Sequence, residues 1–158
     1  MKETSAWLIP GLMSVTLPHS DDWVPFAQPH AALALANSQY FGEPLIPNIM
    51  TKLLRVENPL SNSKDLFERI NKSFEPVQYQ VMNQTEIDFQ LAPGVKTEII
   101  FSTQNFKLIQ IVQSVYLPIN DQPAVFDISA TCEIEQGPKV MPEMRDTVEN
   151  ARIDFFIG

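Results

Sequence analysis

The sequence predicts an α+β fold in which an antiparallel β-sheet meander is flanked by two main helices. Residues 124–134 alternate apolar and polar side chains, which is the period of a strand with one buried face. Residues 61–75 and 141–153 repeat their apolar side chains every three to four positions, as amphipathic helices do. Strands joined by short turns and accompanied by helices are typical of a sheet covered by helical layers.

The chain has enough apolar material for a single domain over residues 1–158. It is 44% hydrophobic and contains ten Phe, and no repeat, linker or low-complexity segment divides it. Its apolar runs are only a few residues long, whereas a transmembrane helix needs about 20 apolar residues. We therefore expect one α+β domain without a membrane span.

Prolines leave room only for short elements before residue 60. We predict a strand at 14–17, a loop at 19–29 and a strand at 48–56. Both faces of the last strand are partly apolar, which is typical of a central strand covered on each side. Residues 31–38 fit either a strand or a helical turn, and the flanking prolines and Gly42 favour the strand.

The first helix is expected at 61–75. Ser61, Asn62 or Ser63 is placed to cap its amino end, because a short side-chain oxygen accepts a free N–H group of the first turn. Pro76 ends the helix. Its predicted buried face consists of four residues at helical spacing: Leu66, Phe67, Ile70 and Phe74.

From residue 77 to residue 134 the sequence predicts a series of consecutive strands. Residues 77–82 and 85–91 flank Asn83-Gln84, which is either a tight turn or a bulge within one long strand. Pro93-Gly94 is a turn by composition. Further strands are expected at 96–102, 106–116 and 124–134, with a turn at 118–122 and with inward-facing Phe126, Ile128, Ala130 and Cys132.

The second helix is expected at 141–153, after a break at Gln136-Gly137-Pro138, with an apolar face formed by Met141, Met144, Val148 and Ala151. The residues beyond it, Phe155, Phe156 and Ile157, are too apolar for a free chain end. We expect them to extend a sheet edge, pack under a helix or contact another chain. They are the predicted partner-contact residues.

The charge of the chain excludes some classes of partner. It carries 11 Lys and Arg against 19 Asp and Glu, a net charge of −8. Nucleic acids and anionic membranes are bound by clustered cations, which the sequence lacks, so we expect no nucleic-acid partner. A basic protein remains compatible with this charge. The first ten residues lack the basic start and apolar core of a signal peptide, which predicts a cytoplasmic location.

Few residues carry a catalytic or metal-binding pattern. His19 with Asp21 and Asp22 resembles part of a metal site, but a zinc site usually has three or four ligands, and no further ligand follows at a supporting spacing. Cys132 is predicted to face the core, where a thiol is inert. Neither a Gly-x-Ser-x-Gly turn nor a Gly-x-Gly phosphate loop is present. We expect no metal, no cofactor and no catalytic residue.

Two aromatic side chains, Trp7 and Trp23, lie in proline-rich segments. An aromatic residue in such a segment either covers the core or forms an exposed contact, and covering the core is the commoner case.

Several segments together resemble a known group of proteins. They are the short strand Val15-Thr16-Leu17-Pro18, the loop residues Asp22-Trp23, the strand at 47–56 that leads to a helix, and the strand containing Ala130-Thr131 before the closing helix. This pattern, from about residue 14 to residue 153, is similar to the actinobacterial LpqN/LpqT group of the PsbP/DcrB-like superfamily.

The resemblance implies a sheet flanked by helices and carries no catalytic signature. The actinobacterial proteins are secreted lipoproteins with an amino-terminal cysteine, whereas we expect neither a leader nor a lipid site in this chain, whose first residues show no pattern for them. Cytosolic members of the superfamily resemble binding adaptors, including chaperones for secreted effectors.

Three functions are therefore compared. The first is a non-enzymatic protein-binding, adaptor or chaperone-like module, whose partner is another protein or a second copy of the chain. The second is a carrier of a small apolar ligand held between sheet and helices. The third is a hydrolase that uses His19 and His30 of the 19–30 loop, which requires both histidines to converge on a carboxylate. We favour the first.

Overall fold

A computed structural model describes residues 1–57, 59–60, 62–119 and 122–156 of the chain. The described residues form two antiparallel sheets and two α-helices. The large sheet has the strand order β3-β4-β5-β9-β8-β7-β6. Its strands are β3 (Trp23–Pro25), β4 (Leu33–Asn37), β5 (Asn48–Arg55), β6 (Gln78–Phe89), β7 (Ala92–Ser102), β8 (Lys107–Ile119) and β9 (Gln122–Glu133).

The small sheet joins the two ends of the described chain. It consists of β1 (Lys2–Ile9), β2 (Met13–His19) and β10 (Arg152–Phe155), with β2 in the centre. Ile153 pairs with Val15 across the β2–β10 ladder. The amino-terminal hairpin therefore receives its third strand from the other end of the sequence.

Helix α2 (Gly137–Glu149) covers one face of the large sheet. Its apolar side belongs to the main buried cluster, together with inward residues of the small sheet and of strands β4, β5, β8 and β9. The predicted sheet-to-helix core is confirmed, because every member is buried: Phe126, Ile128, Ala130, Cys132, Met141, Met144, Val148 and Ala151.

Helix α1 (Ser63–Phe74) covers part of the opposite face. The Asn62 side chain accepts a hydrogen bond from the Asp65 backbone N–H at 3.3 Å, as expected of an amino-terminal cap. Leu66 and Ile70 are buried with Val95 and Val125 in a second, smaller cluster. The sequence prediction for this helix is confirmed, apart from Ser61, which lies outside the described residues.

Two ambiguous strand predictions are resolved by the pairing. Residues 33–37 are strand β4, paired on both sides. Residues 78–89 form one long strand, β6, whose register shifts between Val81 and Asn83, so Asn83-Gln84 is associated with a bulge and not with a turn.

The second predicted helix is present, but it begins and ends earlier than the expected range of about 141–153. The helix begins at Gly137, and Pro138 lies in its first turn. Proline is tolerated there because the N–H groups of a first turn have no acceptor within the helix. It ends at Glu149, and residues from Arg152 onward form β10. Ile153 is buried on β10 and Ala151 just before it, and both pack in the main buried cluster.

Other predicted loops and turns also differ from the structure. Pro93-Gly94 lies inside β7, and the chain reverses at Gln90 and Leu91, whose φ values of 48° and 72° are left-handed.

The 19–29 segment contains β3, and residues 2–9, for which no strand was predicted, form β1. In the predicted turn at 118–122, Ile119 and Gln122 close the β8–β9 ladder, and Asn120 and Asp121 lie outside the described residues.

Strand β5 is central, as predicted, but its two faces are unequally covered. Ile49 and Thr51 are fully buried on the side of α2, whereas Lys52 is exposed on the side of α1. No helix in the described part of the chain is long and apolar enough to span a membrane.

Candidate protein-interaction surface

The outward side of the small sheet carries an unusual pair of exposed aromatic rings. Alternation along β1 turns Ala6 and Leu8 toward the core and Trp7 away from it. Trp7 remains 49% exposed. We call this side of the small sheet, with Trp7, Arg152 and Phe156, the outer face.

Phe156 supplies the second ring. Its backbone N–H donates to the Leu12 carbonyl oxygen at 2.8 Å, which holds the end of β10 beside the β1–β2 turn. The Phe156 and Trp7 ring centroids are 5.3 Å apart with the planes at 67°, an edge-to-face contact. Phe156 is 48% exposed, so the two rings stabilise each other while half of each remains in solvent.

Arg152 lies on the same face and is fixed in place by two carboxylates. Its Nη1 and Nη2 donate to the two Glu3 oxygens at 3.0 and 3.3 Å, and its Nε lies 3.5 Å from Asp154 Oδ2. The hydrogen bond from Arg152 lowers the pKa of the Glu3 carboxyl, and the same bond raises the pKa of Arg152. These contacts hold the guanidinium in one orientation.

A shallow depression of about 400 Å³ connects the aromatic pair with Arg152. Its floor includes Ser5 and Thr16, whose hydroxyl oxygens are 2.6 Å apart. Trp and Arg are over-represented among residues that dominate protein–protein binding energies, and Phe is enriched in protein–protein interfaces. The arrangement suits an apolar side chain beside the rings, surrounded by a polar rim.

The predicted contact residues divide between two sides of β10. Phe156 belongs to the outer face. Phe155 is 56% exposed and lines a small cleft with Phe89 and Leu117 instead. Ile157 lies outside the described residues. The sequence favoured a core position for Trp7 and did not single out Arg152. The side chains of Ala6, Trp7 and Leu8 point to alternate sides of a strand, and this period of two was the signal that could have placed Trp7 on a strand.

The two histidines occupy different environments. His19 is buried at the end of β2, where Nδ1–H donates to the Ser20 carbonyl oxygen at 2.8 Å and Nε2 lies 2.7 Å from the Thr4 hydroxyl. His30 is exposed, has a φ of 69°, and does not line the cavity bordered by His19. The convergence that a hydrolase would need is therefore not present in the described structure.

The acidic residues near His19 have structural partners. Glu143 of α2 accepts hydrogen bonds from Trp23 Nε1 at 3.3 Å and from the Ser20 hydroxyl at 3.4 Å. Asp21 pairs with Lys2 and Asp22 with Gln39. Within the described ranges, no three His, Cys, Asp or Glu side chains are grouped so as to hold a metal ion.

An apolar cleft lies at a place other than the predicted one. The ligand-carrier hypothesis required a cavity between sheet and helices, but a cleft of about 470 Å³ opens between the β1–β2 hairpin and the ends of β5, β8 and β9. Leu8, Leu53 and Ile119 line it, and Arg55 is its one basic lining residue within the described chain.

The fold is shared with several solved structures, although no known family model matches the sequence and no curated protein matches it. LpqN of Mycobacterium tuberculosis, described as involved in cell envelope biogenesis, is 16% identical with a TM-score of 0.77, and the match covers 96% of this chain and 90% of LpqN. Cyanobacterial PsbP from Synechocystis sp. PCC 6803 is 9% identical with a TM-score of 0.63, covering 96% and 92% of the two chains.

The Ran-binding protein Mog1p of Saccharomyces cerevisiae is 11% identical with a TM-score of 0.59, and the match covers 96% of this chain and 95% of Mog1p. Identities this low indicate a common fold and leave function to the residues of the site. The chain therefore has the PsbP/DcrB-like fold that its sequence pattern predicted, with LpqN among its structural neighbours.

Proposed function

We propose that the protein is a non-enzymatic binding or adaptor module that holds a protein partner on the outer face. The observation that carries this proposal is the edge-to-face pair of Trp7 and Phe156, each about half exposed on a solvent-facing sheet. A partner that covers these rings removes their apolar surface from water, which contributes favourably to the free energy of binding.

The charges around the rings support a partner with a basic rim. Arg152 is already matched by Glu3 and Asp154, so this part of the face carries one excess negative charge. The whole chain has a net charge of −8, which attracts a basic protein over a distance set by the ionic strength. We therefore expect an apolar side chain at the centre of the contact and Lys or Arg at its edge.

The adaptor class also agrees with a neighbour of the same fold. Mog1p is named as a Ran-binding protein, so a protein-binding role is within the range of this fold. The residues that would bind a partner here are nevertheless assigned from the outer face alone.

The experiment is affinity capture from native cell extract with surface variants as the comparison. Trp7→Ser and Phe156→Ser should each reduce recovery of the specific partner at least tenfold, because each removes one half of the aromatic pair. Phe41→Ser is the matched control, since Phe41 is an exposed aromatic residue (56%) that does not line the outer face. Circular dichroism checks that all three variants fold.

Sedimentation of the purified proteins tests whether the partner is a second copy of the chain. Self-association through the outer face predicts a dimer that Trp7→Ser disrupts and Phe41→Ser preserves. If the two Ser substitutions on the outer face leave both the captured proteins and the sedimentation unchanged, the proposal is wrong.

The apolar cleft supports a second candidate, the carrier of a small apolar ligand. Its volume of about 470 Å³ falls within the range of small-molecule sites, and Arg55 offers a cation at an otherwise mainly apolar lining. Native mass spectrometry of the captured protein separates the two candidates. A bound small apolar molecule in the absence of any enriched protein would favour the carrier over the adaptor.

A further inference from the structure

A second concave region lies on the face of the large sheet that α1 covers only in part. It is a groove of about 300 Å³ between α1 and strands β5, β8 and β9. We call it the basic groove, because two cations line it over a single carboxylate, with polar side chains around them: Lys52, Arg69, Asp127, Ser73, Gln110 and Ser129.

The carboxylate at the base of the groove already has its partners. Asp127 is 7% exposed, and its Oδ1 accepts a hydrogen bond from the Ser114 hydroxyl at 2.5 Å. Arg69 Nη1 donates to Oδ1 at 3.4 Å and to Oδ2 at 3.3 Å. A buried carboxylate needs such compensation, so the negative charge of Asp127 is largely neutralised from inside the protein.

Arg69 contacts Asp127 through only one of its nitrogens. A guanidinium binding a carboxylate often does so through two parallel N–H groups, but here both bonds share Nη1. The other two nitrogens, Nη2 and Nε, have no hydrogen-bond partner in the described part of the chain. Arg69 therefore keeps donors for a second anion in the groove that it lines.

Lys52 adds a second cation, which has no partner among the residues that the structure describes. It lies directly across the β5–β9 ladder from Asp127, is exposed, and makes no ion pair or hydrogen bond with any described residue. The Ser129 hydroxyl, two residue pairs further along the same ladder, is equally free within the described chain. The two cations and one carboxylate leave the groove with a net charge of +1 in a protein whose net charge is −8.

We propose that the basic groove binds a small organic anion through a carboxylate or phosphate group. Lys52 supplies the point charge, Arg69 the planar donors and Ser129 a hydroxyl donor, which together match an oxyanion. The volume of about 300 Å³ is at the lower limit of small-molecule pockets and fits a compact metabolite. This site lies on the α1 side of the large sheet and goes beyond the protein-binding role of the outer face.

The test is a titration of ¹⁵N-labelled full-length protein with succinate and, separately, with inorganic phosphate. Saturable shifts should appear at the amides of Lys52 and Ser129. Binding should weaken at least tenfold in Lys52→Gln and stay unchanged in Lys107→Gln, which removes an exposed cation that does not line the groove. Arg69 is not substituted, because its loss would leave the buried carboxylate of Asp127 without a compensating cation.

The two probes separate the two sources of the oxyanion. Saturation by succinate alone identifies a carboxylate site, and saturation by phosphate identifies a phosphate site. The absence of saturation with both probes would overturn the proposal, as would equal binding to wild type and Lys52→Gln. Trp7→Ser should bind both probes as wild type does, so failure of the adaptor proposal and failure of this one are distinguishable.

Discussion

Cys132 lies on β9 within the main buried cluster, with none of its surface exposed. Burial raises the pKa of its thiol to about 11 from the ordinary value of 9.0, and the neighbouring Glu133 carboxylate adds to the shift. A thiol that remains protonated and enclosed is a poor nucleophile. The expectation from sequence that Cys132 fills the core therefore agrees with its position in the structure.

The raised pKa of Cys132 predicts a loss of stability in alkali. Between about pH 9 and pH 11 the unfolded chain loses the thiol proton while the folded chain keeps it, so the free energy of unfolding falls as pH rises. The slope from this group is at most about 1.4 kcal/mol per pH unit. Urea denaturation at a series of pH values should show a shallower fall for Cys132→Ala than for wild type.

The outcome that would contradict this prediction is a parallel loss of stability in the two proteins across the same range. A thiol reagent provides a second check. It should react with Cys132 in urea and leave the native protein unmodified at neutral pH, since the sulfur is buried.

At the scale of elements, β7 and β8 approach each other closely at Gly94. A Cβ atom added there would lie 2.9 Å from the Ser114 carbonyl oxygen and 3.1 Å from Ile87 Cγ1. The first neighbour is backbone within a sheet and cannot rotate away. Gly94 is therefore required by packing at the first residue pair of the β7–β8 ladder, although Pro93-Gly94 has the composition of a turn.

Gly94→Ala should consequently lower the free energy of unfolding by about 1–3 kcal/mol, as overpacking does in a dense interior. Gly137→Ala is the matched control. Its Cβ would have Met141 Cγ as nearest neighbour at 3.5 Å, an ordinary contact, at the start of helix α2. Chemical denaturation measures the free energy of unfolding of both variants. Equal values would contradict the prediction that the close approach at Gly94 makes a Cβ atom destabilising.

At the scale of the whole molecule, the two sheets are joined at Gln90. Its side-chain Nε2 donates to the Ile153 carbonyl oxygen at 2.8 Å, and its Oε1 accepts from the Ile153 N–H at 2.6 Å. The side chain thus occupies the free edge of β10 as a neighbouring strand would. The turn between β6 and β7 thereby holds in place the strand that carries Arg152 and leads to Phe156.

Gln90→Ala should loosen β10 while the large sheet stays intact. Two lost hydrogen bonds correspond to about 1–3 kcal/mol of stability. Hydrogen exchange of the Ile153 amide should accelerate, whereas amides of β8 and β9 keep their protection. Leu91→Ala serves as control, because Leu91 is 99% exposed. If Ile153 exchanges at the same rate in both variants, Gln90 does not hold the strand.

The local pattern of apolar and polar residues determines much of this fold. The side chains of β9 that face α2 recur every two residues and the buried side chains of α1 every three to four, so both elements follow from neighbouring residues alone. The expectation of a single buried face on β9 is wrong over residues 124–128, because Val125 and Asp127 are buried on the α1 side as well. The amino-terminal cap at Asn62 is likewise a short-range feature.

Tertiary structure decided the pairing of residues distant in sequence. Ile153 could join a helix or a strand by its local pattern, and only the free edge of β2 made it a strand. The outer face combines Trp7 from one end of the described chain with Phe156 from the other, and the basic groove depends on the register that places Lys52 opposite Asp127. Such contacts arise from long-range packing, which no periodicity within a short window encodes.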